Sequence, residues 1–236
     1  MIQNHPSAPK ILVILHQEHS TPARVGRLLQ EQGCNLDIRR PRYGDPLPDT
    51  MRDHAGAVIF GGPMCANDAD DYIKTEIDWI NVPLAEDKPF LGICLGAQMM
   101  AKTLGGRVYK HPEGRVEIGY YPISPHADAA SLCCEPLPGH VYQWHRDGFD
   151  LPAGAKLLAT GGDFEVQACK VGGKAYGIQF HPEVTYAQMC RWTTTAAERM
   201  GGPGAQPREA HLEGWFRYDA AVDRWARAFL ARWVAG

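Results

Sequence analysis

Nowhere among the 236 residues does an apolar stretch reach the roughly 18 positions a membrane-crossing helix needs, so no such helix is expected. Basic residues are not in excess: Lys and Arg number 24 against 27 Asp and Glu, for a net charge of −3. Neither nucleic acid nor an anionic membrane surface is therefore an expected partner. The opening "MIQNHPSAPK" lacks the charged start and apolar run of a secretory signal, and a cytoplasmic protein is expected. No Cys-x-x-Cys pair occurs, and no His, Cys and acidic residues fall at a metal-ligand spacing, so neither a metal nor a cofactor is expected. No glycine-rich loop runs into Lys-Ser or Lys-Thr, which excludes the common phosphate-binding loop. Repeats and low-complexity segments are missing too.

What is present in quantity is the alternation of apolar runs with helical patterns. Residues 10–17, 34–40, 55–62 and 89–94 read as strands with almost continuous apolar character. Between them, 21–33 reads as a helix with Thr21 as cap, Pro22 at its first position and Gly33 as stop, 69–86 as a second and 95–105 as a third. This order implies an α/β fold, an open and mostly parallel sheet with helices on both faces. From 107 to 180 short β segments take over, forming a small antiparallel subregion that includes a hairpin turning at Gly172-Gly173. A helix over 184–200 follows, then a helical extension over 207–235 whose Val222, Trp225, Ala226, Phe229 and Trp233 share one face. A single domain is expected, with its core over about 10–200.

Seven cysteines, an odd number without a framework, argue against disulfide staples. Six of them, adjacent Cys133 and Cys134 included, read as small apolar fillers. Cys94 differs: it ends an apolar strand, stands between Gly92 and Gly96, and precedes a helix. In open parallel sheets the ligand crevice lies at the carboxyl ends of the strands. There "HQEHS" ends the first strand, "GGPM" (61–64) the third, Cys94 the fourth, and "HPEV" (181–184) the late strand "YGIQF". A strand–Cys–helix turn exposes a thiol to the free N–H groups of a helix start, which favour a thiolate and can hold an oxyanion. His181 is the candidate acid and base, and Glu183 the group that orients it. The Gly61-Gly62 pair offers a further unobstructed N–H. Taken singly, each motif is equally compatible with structure: a filler cysteine in a turn, a His-Pro in a loop. His5, His54, His111 and His126 stand in polar or Pro-rich contexts and read as surface residues.

"GICLGAQ" (92–98), "GGP" (61–63) and "HPE" (181–183), in this combination and context, resemble the class I, or triad, glutamine amidotransferases. The stretch 142–161 is similar to the glutaminase domain of GMP synthases within that family. The resemblance covers about residues 10–200 and implies a flavodoxin-like, class I glutamine amidotransferase-like fold. It implies Cys94 as nucleophile, His181 as general acid and base, Glu183 as orienting carboxylate, and the N–H groups of Gly62 and Leu95 as the oxyanion hole. Gln98, His145 and Asp147 would bind substrate, although "WHRD" (144–147) also reads as a surface loop with an incidental charge pair. The implied reaction is hydrolysis of the side-chain amide of glutamine through a cysteine thioester, with ammonia passed to an unidentified acceptor. Two departures stand out: the chain holds no synthetase module, and Met64 follows "GGP" where many relatives carry a smaller residue. A γ-glutamyl peptidase using the same triad, and a latent or non-catalytic regulatory subunit, remain as alternatives. A synthetase receiving the ammonia is the implied partner.

Overall fold

A computed structural model of the chain describes residues 7–236; His5 lies outside them. The first half alternates as expected: β1 (Lys10–Ile14), α1 (Ala23–Glu31), β2 (Asn35–Arg39), β3 (Gly56–Ile59), α2 (Asp71–Trp79), α3 (Asn81–Ala85), β4 (Phe90–Ile93) and α4 (Leu95–Thr103). There follow β5 (Val108–Lys110), β6 (Glu117–Pro122), β7 (Ser124–Pro125), β8 (His140–His145), β9 (Asp147–Phe149), β10 (Lys156–Thr160), β11 (Val166–Val171) and β12 (Ala175–Ile178). Helices α5 (Tyr186–Thr195) and α6 (Arg208–Ala235) close the chain.

The main sheet runs β2-β1-β3-β4-β12-β11-β10-β7. Its first five members are mutually parallel, and β11, β10 and β7 continue antiparallel. Two antiparallel ribbons, β5 with β9 and β6 with β8, form the smaller region. The central strands are apolar throughout because both their faces are covered. Ile11, Val13, Val58, Leu91 and Ile93 meet α1 and α6, whereas Leu12, Ile14, Ala57, Ile59 and Phe90 meet α2 and α4. The apolar face of α6 lies in the first of these layers, with Trp225, Phe229 and Trp233 buried and the Trp233 indole N–H donating to the Phe90 carbonyl.

Several local expectations need correction. Thr21 does not cap α1: the helix starts at Ala23, and the Arg24 N–H donates instead to the Glu183 carbonyl at 3.1 Å. A tertiary acceptor replaces the side-chain cap. The single helix expected over 69–86 is two, α2 and α3, meeting at Ile80. The helix expected over 184–200 ends at Thr195 and continues as a 3-10 turn, Ala197–Gly201. Of the six filler cysteines only Cys34, Cys65 and Cys169 are buried; Cys134 is exposed, and the pair 133–134 lies in no strand. His54 is buried and bonded to Asp37 through Nε2 (3.0 Å), and His111 packs edge-on to Phe164.

Candidate active site

Because β1, β3, β4 and β12 are adjacent and parallel, their carboxyl ends open on one edge. His16, Gly61-Gly62, Cys94 and His181 follow those four ends. The turn at Cys94 is strained: its φ of 50° and ψ of −103° lie where residues with a Cβ seldom sit. The flanking glycines make it buildable. A Cβ at Gly92 would fall 2.5 Å from the Gly96 carbonyl oxygen, and one at Gly96 would run into the carbonyl of Ile59. Strand, turn and helix are thereby pressed together, and Leu95 opens α4 with an N–H that has no acceptor inside the helix.

His181 and Glu183 are both buried, and the imidazole Nδ1 donates to Glu183 Oε1 at 2.7 Å. Its Nε2 is buried without a partner of its own. Burial disfavours the imidazolium, but the Glu183 carboxylate, with the Cys94 sulfur beside the ring, outweighs it and pushes His181 up to about 10. Gly61 is the spacer: a Cβ there would stand 2.8 Å from His181 Cε1 and 3.4 Å from Cys94 Cβ. Burial pushes Cys34 and Cys65 up, and Cys169 up to about 12, keeping them protonated.

A cavity of about 200 Å³ adjoins Cys94 and is lined by Gly62, Leu95, Gln98, His145 and Asp147 among others. All the substrate-binding and oxyanion candidates therefore meet around one space. His145 and Asp147 are buried, which removes the surface-loop reading of "WHRD". His145 Nε2 faces Glu117 Oε2 (2.9 Å) and its Nδ1 faces the Asp147 carbonyl (3.0 Å). Gln167 donates to the same Glu117 oxygen, and Gln143 donates to Gln167. Gln98 Nε2 donates to the Asp147 carbonyl at 2.8 Å, so part of its role is to hold that loop. The Met64 sulfur lies beside Gly62, and the side chain lines the same cavity.

Sequence reasoning missed one pair. His16 and Glu76 are wholly buried, with His16 Nε2 2.8 Å from Glu76 Oε2 and Nδ1 3.2 Å from the Gly61 carbonyl. The peptide joining Gly61 to Gly62 is trans, so anchoring that carbonyl on His16 turns the Gly62 N–H the opposite way. The available signal was a polar residue directly after an apolar strand in "HQEHS".

Among the described residues no group of His, Cys, Asp and Glu is arranged to hold a metal, and no helix is long and apolar enough to cross a membrane.

The class I glutamine amidotransferase family model matches residues 14–191. The glutamine amidotransferase-like protein YfeJ of Salmonella typhimurium is 28% identical over 75% of this chain and 76% of its own length. A subunit of the glutamine-hydrolysing GMP synthase of Methanocaldococcus jannaschii is 31% identical over 75% of this chain and 90% of the relative. The GMP synthase of Hydrogenovibrio crunogenus is 33% identical over 85% of this chain, a match that spans only 37% of that longer protein. Among solved structures, a glutamine amidotransferase from Thermotoga maritima superposes with a TM-score of 0.86 at 32% identity, covering 97% of this chain and 99% of the other. A glutamine amido transferase from Methylobacillus flagellatus gives 0.88 at 27% identity over 97% and 94%. The chain belongs to the class I glutamine amidotransferase family.

Proposed function

We propose that the protein is a cysteine-dependent amidohydrolase that cleaves the side-chain amide of glutamine and releases glutamate and ammonia. Cys94 Sγ attacks the amide carbon. The oxygen that becomes negative is held by the N–H groups of Leu95 and Gly62, the second aimed by the His16–Gly61 contact. His181 delivers its Nε2 proton to the departing nitrogen, and the bond from Nδ1 to Glu183 keeps the ring in place. Water then adds to the γ-glutamyl thioester with His181 as base, and glutamate leaves. Asp147 and the neighbouring Arg146 carry charges that complement the ammonium and carboxylate of the substrate's amino-acid end.

The observation that carries this reading is the placement of a strained Cys94 across Gly61 from a His181 whose Nδ1 is held by Glu183 and whose Nε2 is given no other partner. The names of the GMP synthase relatives, one of them a subunit of such an enzyme, support a synthetase partner as the consumer of the ammonia. The test is glutamate release from glutamine by the purified chain, with Cys94→Ser as blank. Wild-type turnover is expected and the variant should be inactive with an unchanged melting temperature. Equal turnover by the variant would refute the mechanism.

A further inference from the structure

Next to the cavity that adjoins Cys94, the ribbon of β6 and β8 buries a carboxylate that takes no part in the reaction above. Glu117 opens β6, stands opposite His145 in the antiparallel register and is 1% exposed. Its neighbours Val116 and Ile118 line the cavity, and Glu117 does not. Successive residues of a strand alternate between its faces, so Glu117 belongs to the face turned away from the substrate. A carboxylate taken out of water is costly unless charged or hydrogen-bonding groups meet it. Here His145 Nε2 faces Oε2 at 2.9 Å, and Gln167 donates to the same oxygen at 2.9 Å. Gln143 donates in turn to Gln167 at 2.6 Å, and both amides are wholly buried.

The contacts of His145 restrict what it can do. Nδ1 lies 3.0 Å from the Asp147 carbonyl, an acceptor with no proton to give, so Nδ1 carries a hydrogen. Nε2 lies against the Glu117 carboxylate, and one proton is shared between them. Both ring nitrogens are thus engaged by the protein, and neither is left for a ligand. Phe164 fixes the ring further, edge-on at 4.9 Å. The Asp147 carbonyl accepts a second hydrogen bond, from Gln98 Nε2 on α4 at 2.8 Å. Two donors on one carbonyl set the direction of that peptide group. They thereby set the placement of Asp147, which lines the cavity beside Cys94.

Resting on the glutaminase reading above, we infer that Glu117 is a positioning residue for substrate recognition. Through His145 it holds the Asp147 main chain so that the Asp147 carboxylate meets the ammonium group of glutamine. His145 is then a strut between the two acids, in place of the substrate contact that the resemblance implies for it. The contacts run from Gln143 through Gln167, Glu117 and His145 to Asp147, and Gln98 closes them from the side of α4. None of these side-chain bonds involves Cys94 or His181. Loss of Glu117 therefore acts on the amino-acid end of the substrate and leaves the amide chemistry in place.

The test compares glutamine with 4-carbamoylbutanoate, which is glutamine without its α-amino group. The proteins are the wild-type chain, Glu117→Gln, Asp147→Asn and the double variant. Glutamine at position 117 keeps the shape of the side chain and removes its negative charge. In Glu117→Gln the KM for glutamine should rise about tenfold, the scale of a lost charge-assisted hydrogen bond, with kcat within about threefold. The kcat/KM for 4-carbamoylbutanoate, which has no ammonium to recognise, should change by less than about threefold. The double variant should match Asp147→Asn, because Glu117 acts through that residue. Equal losses on the two substrates would make Glu117 a support of the fold alone and overturn the assignment. Additive losses in the double variant would overturn the route through Asp147. Nitrogen-15 NMR of the ring-labelled wild-type chain reads the strut with no replacement at all. His145 Nδ1 should carry a proton, and an Nδ1 without one would overturn the proposal. Silence of the wild type on glutamine would overturn it together with the reading beneath it. Normal wild-type turnover beside any of the other contrary results would leave that reading standing.

Discussion

A buried imidazole with a carboxylate 2.7 Å from Nδ1 and a thiol beside its ring is held in the charged form, and this has a consequence for stability. His181 is raised from an ordinary value of 6.5 to about 10, so the folded state binds its proton more tightly than the unfolded chain does. That contribution is complete below pH 6.5 and is lost as the pH climbs toward 10. Glu183→Gln removes much of the attraction. Melting temperatures of this variant between pH 6.5 and 10 should therefore decline less steeply than those of the wild type, with the two curves converging at the alkaline end. Parallel curves would mean that Glu183 does not hold the charge. The same variant should retain some turnover if Glu183 orients the ring and does not react, as proposed.

His16 and Glu76 allow a second test at this scale. Removing the Nδ1 donor frees the Gly61 carbonyl, and the Gly62 N–H loses its aim. His16→Leu and Glu76→Gln should each lower kcat for glutamine by about tenfold or more, approaching the loss of an oxyanion donor, with KM little changed. A change in KM alone would place the pair in substrate binding. Neither residue was singled out from the sequence, and the reason is physical. Glu76 reads as one polar position on a helix, and only the fold brings it to a histidine 60 residues away.

At the scale of elements, α6 does more than cover the sheet. Arg24, at the start of α1, is buried with both Asp219 oxygens within hydrogen-bond distance (2.6 and 2.7 Å). It also donates through Nη1 to the Pro182 carbonyl and through its backbone N–H to the Glu183 carbonyl. The final helix is thus tied to the loop that carries His181 and Glu183. Asp219→Ala leaves a buried guanidinium with Asp223, at 3.4 Å, as its one remaining carboxylate among the described residues. The expected cost is about 3 kcal/mol, measured by denaturant unfolding, with a loss of kcat at temperatures well below the melt. Unchanged kcat would show that the loop holds its shape without this tie.

The same elements mark what could be read from residue order. The Trp stripe of α6 was legible because Trp225, Phe229 and Trp233 recur at helical spacing and face one layer. The elbow was legible because Gly92 and Gly96 flank Cys94 and no other cysteine has such neighbours. The start of α1 was misread because its free N–H is satisfied by Glu183, 159 residues later in the chain, where local capping signals carry no information. Likewise, burial of His145 and Asp147 depends on Glu117 and Gln98, which reach them from other elements.

For the molecule as a whole, the parallel sheet explains how motifs from distant parts of the chain meet. Adjacent β1, β3, β4 and β12 deliver His16, Gly61-Gly62, Cys94 and His181 to one edge, and β8 and β9 with the loop between them add the substrate candidates. What order along the chain does not reveal is the space left between these segments. The cavity beside His181 is walled by residues from five regions of the chain, 15–21, 42–43, 60–63, 144 and 181–199, and its size follows from how they pack.

The central claim is that a covalent γ-glutamyl group passes through Cys94. The most direct measurement is acid quenching of the protein during steady-state turnover of glutamine, followed by mass analysis of its peptides. A γ-glutamyl thioester on the peptide containing Cys94, absent from Cys94→Ser, is the expected result. Turnover of glutamine with the label on another residue, or through Cys94→Ser itself, would contradict it.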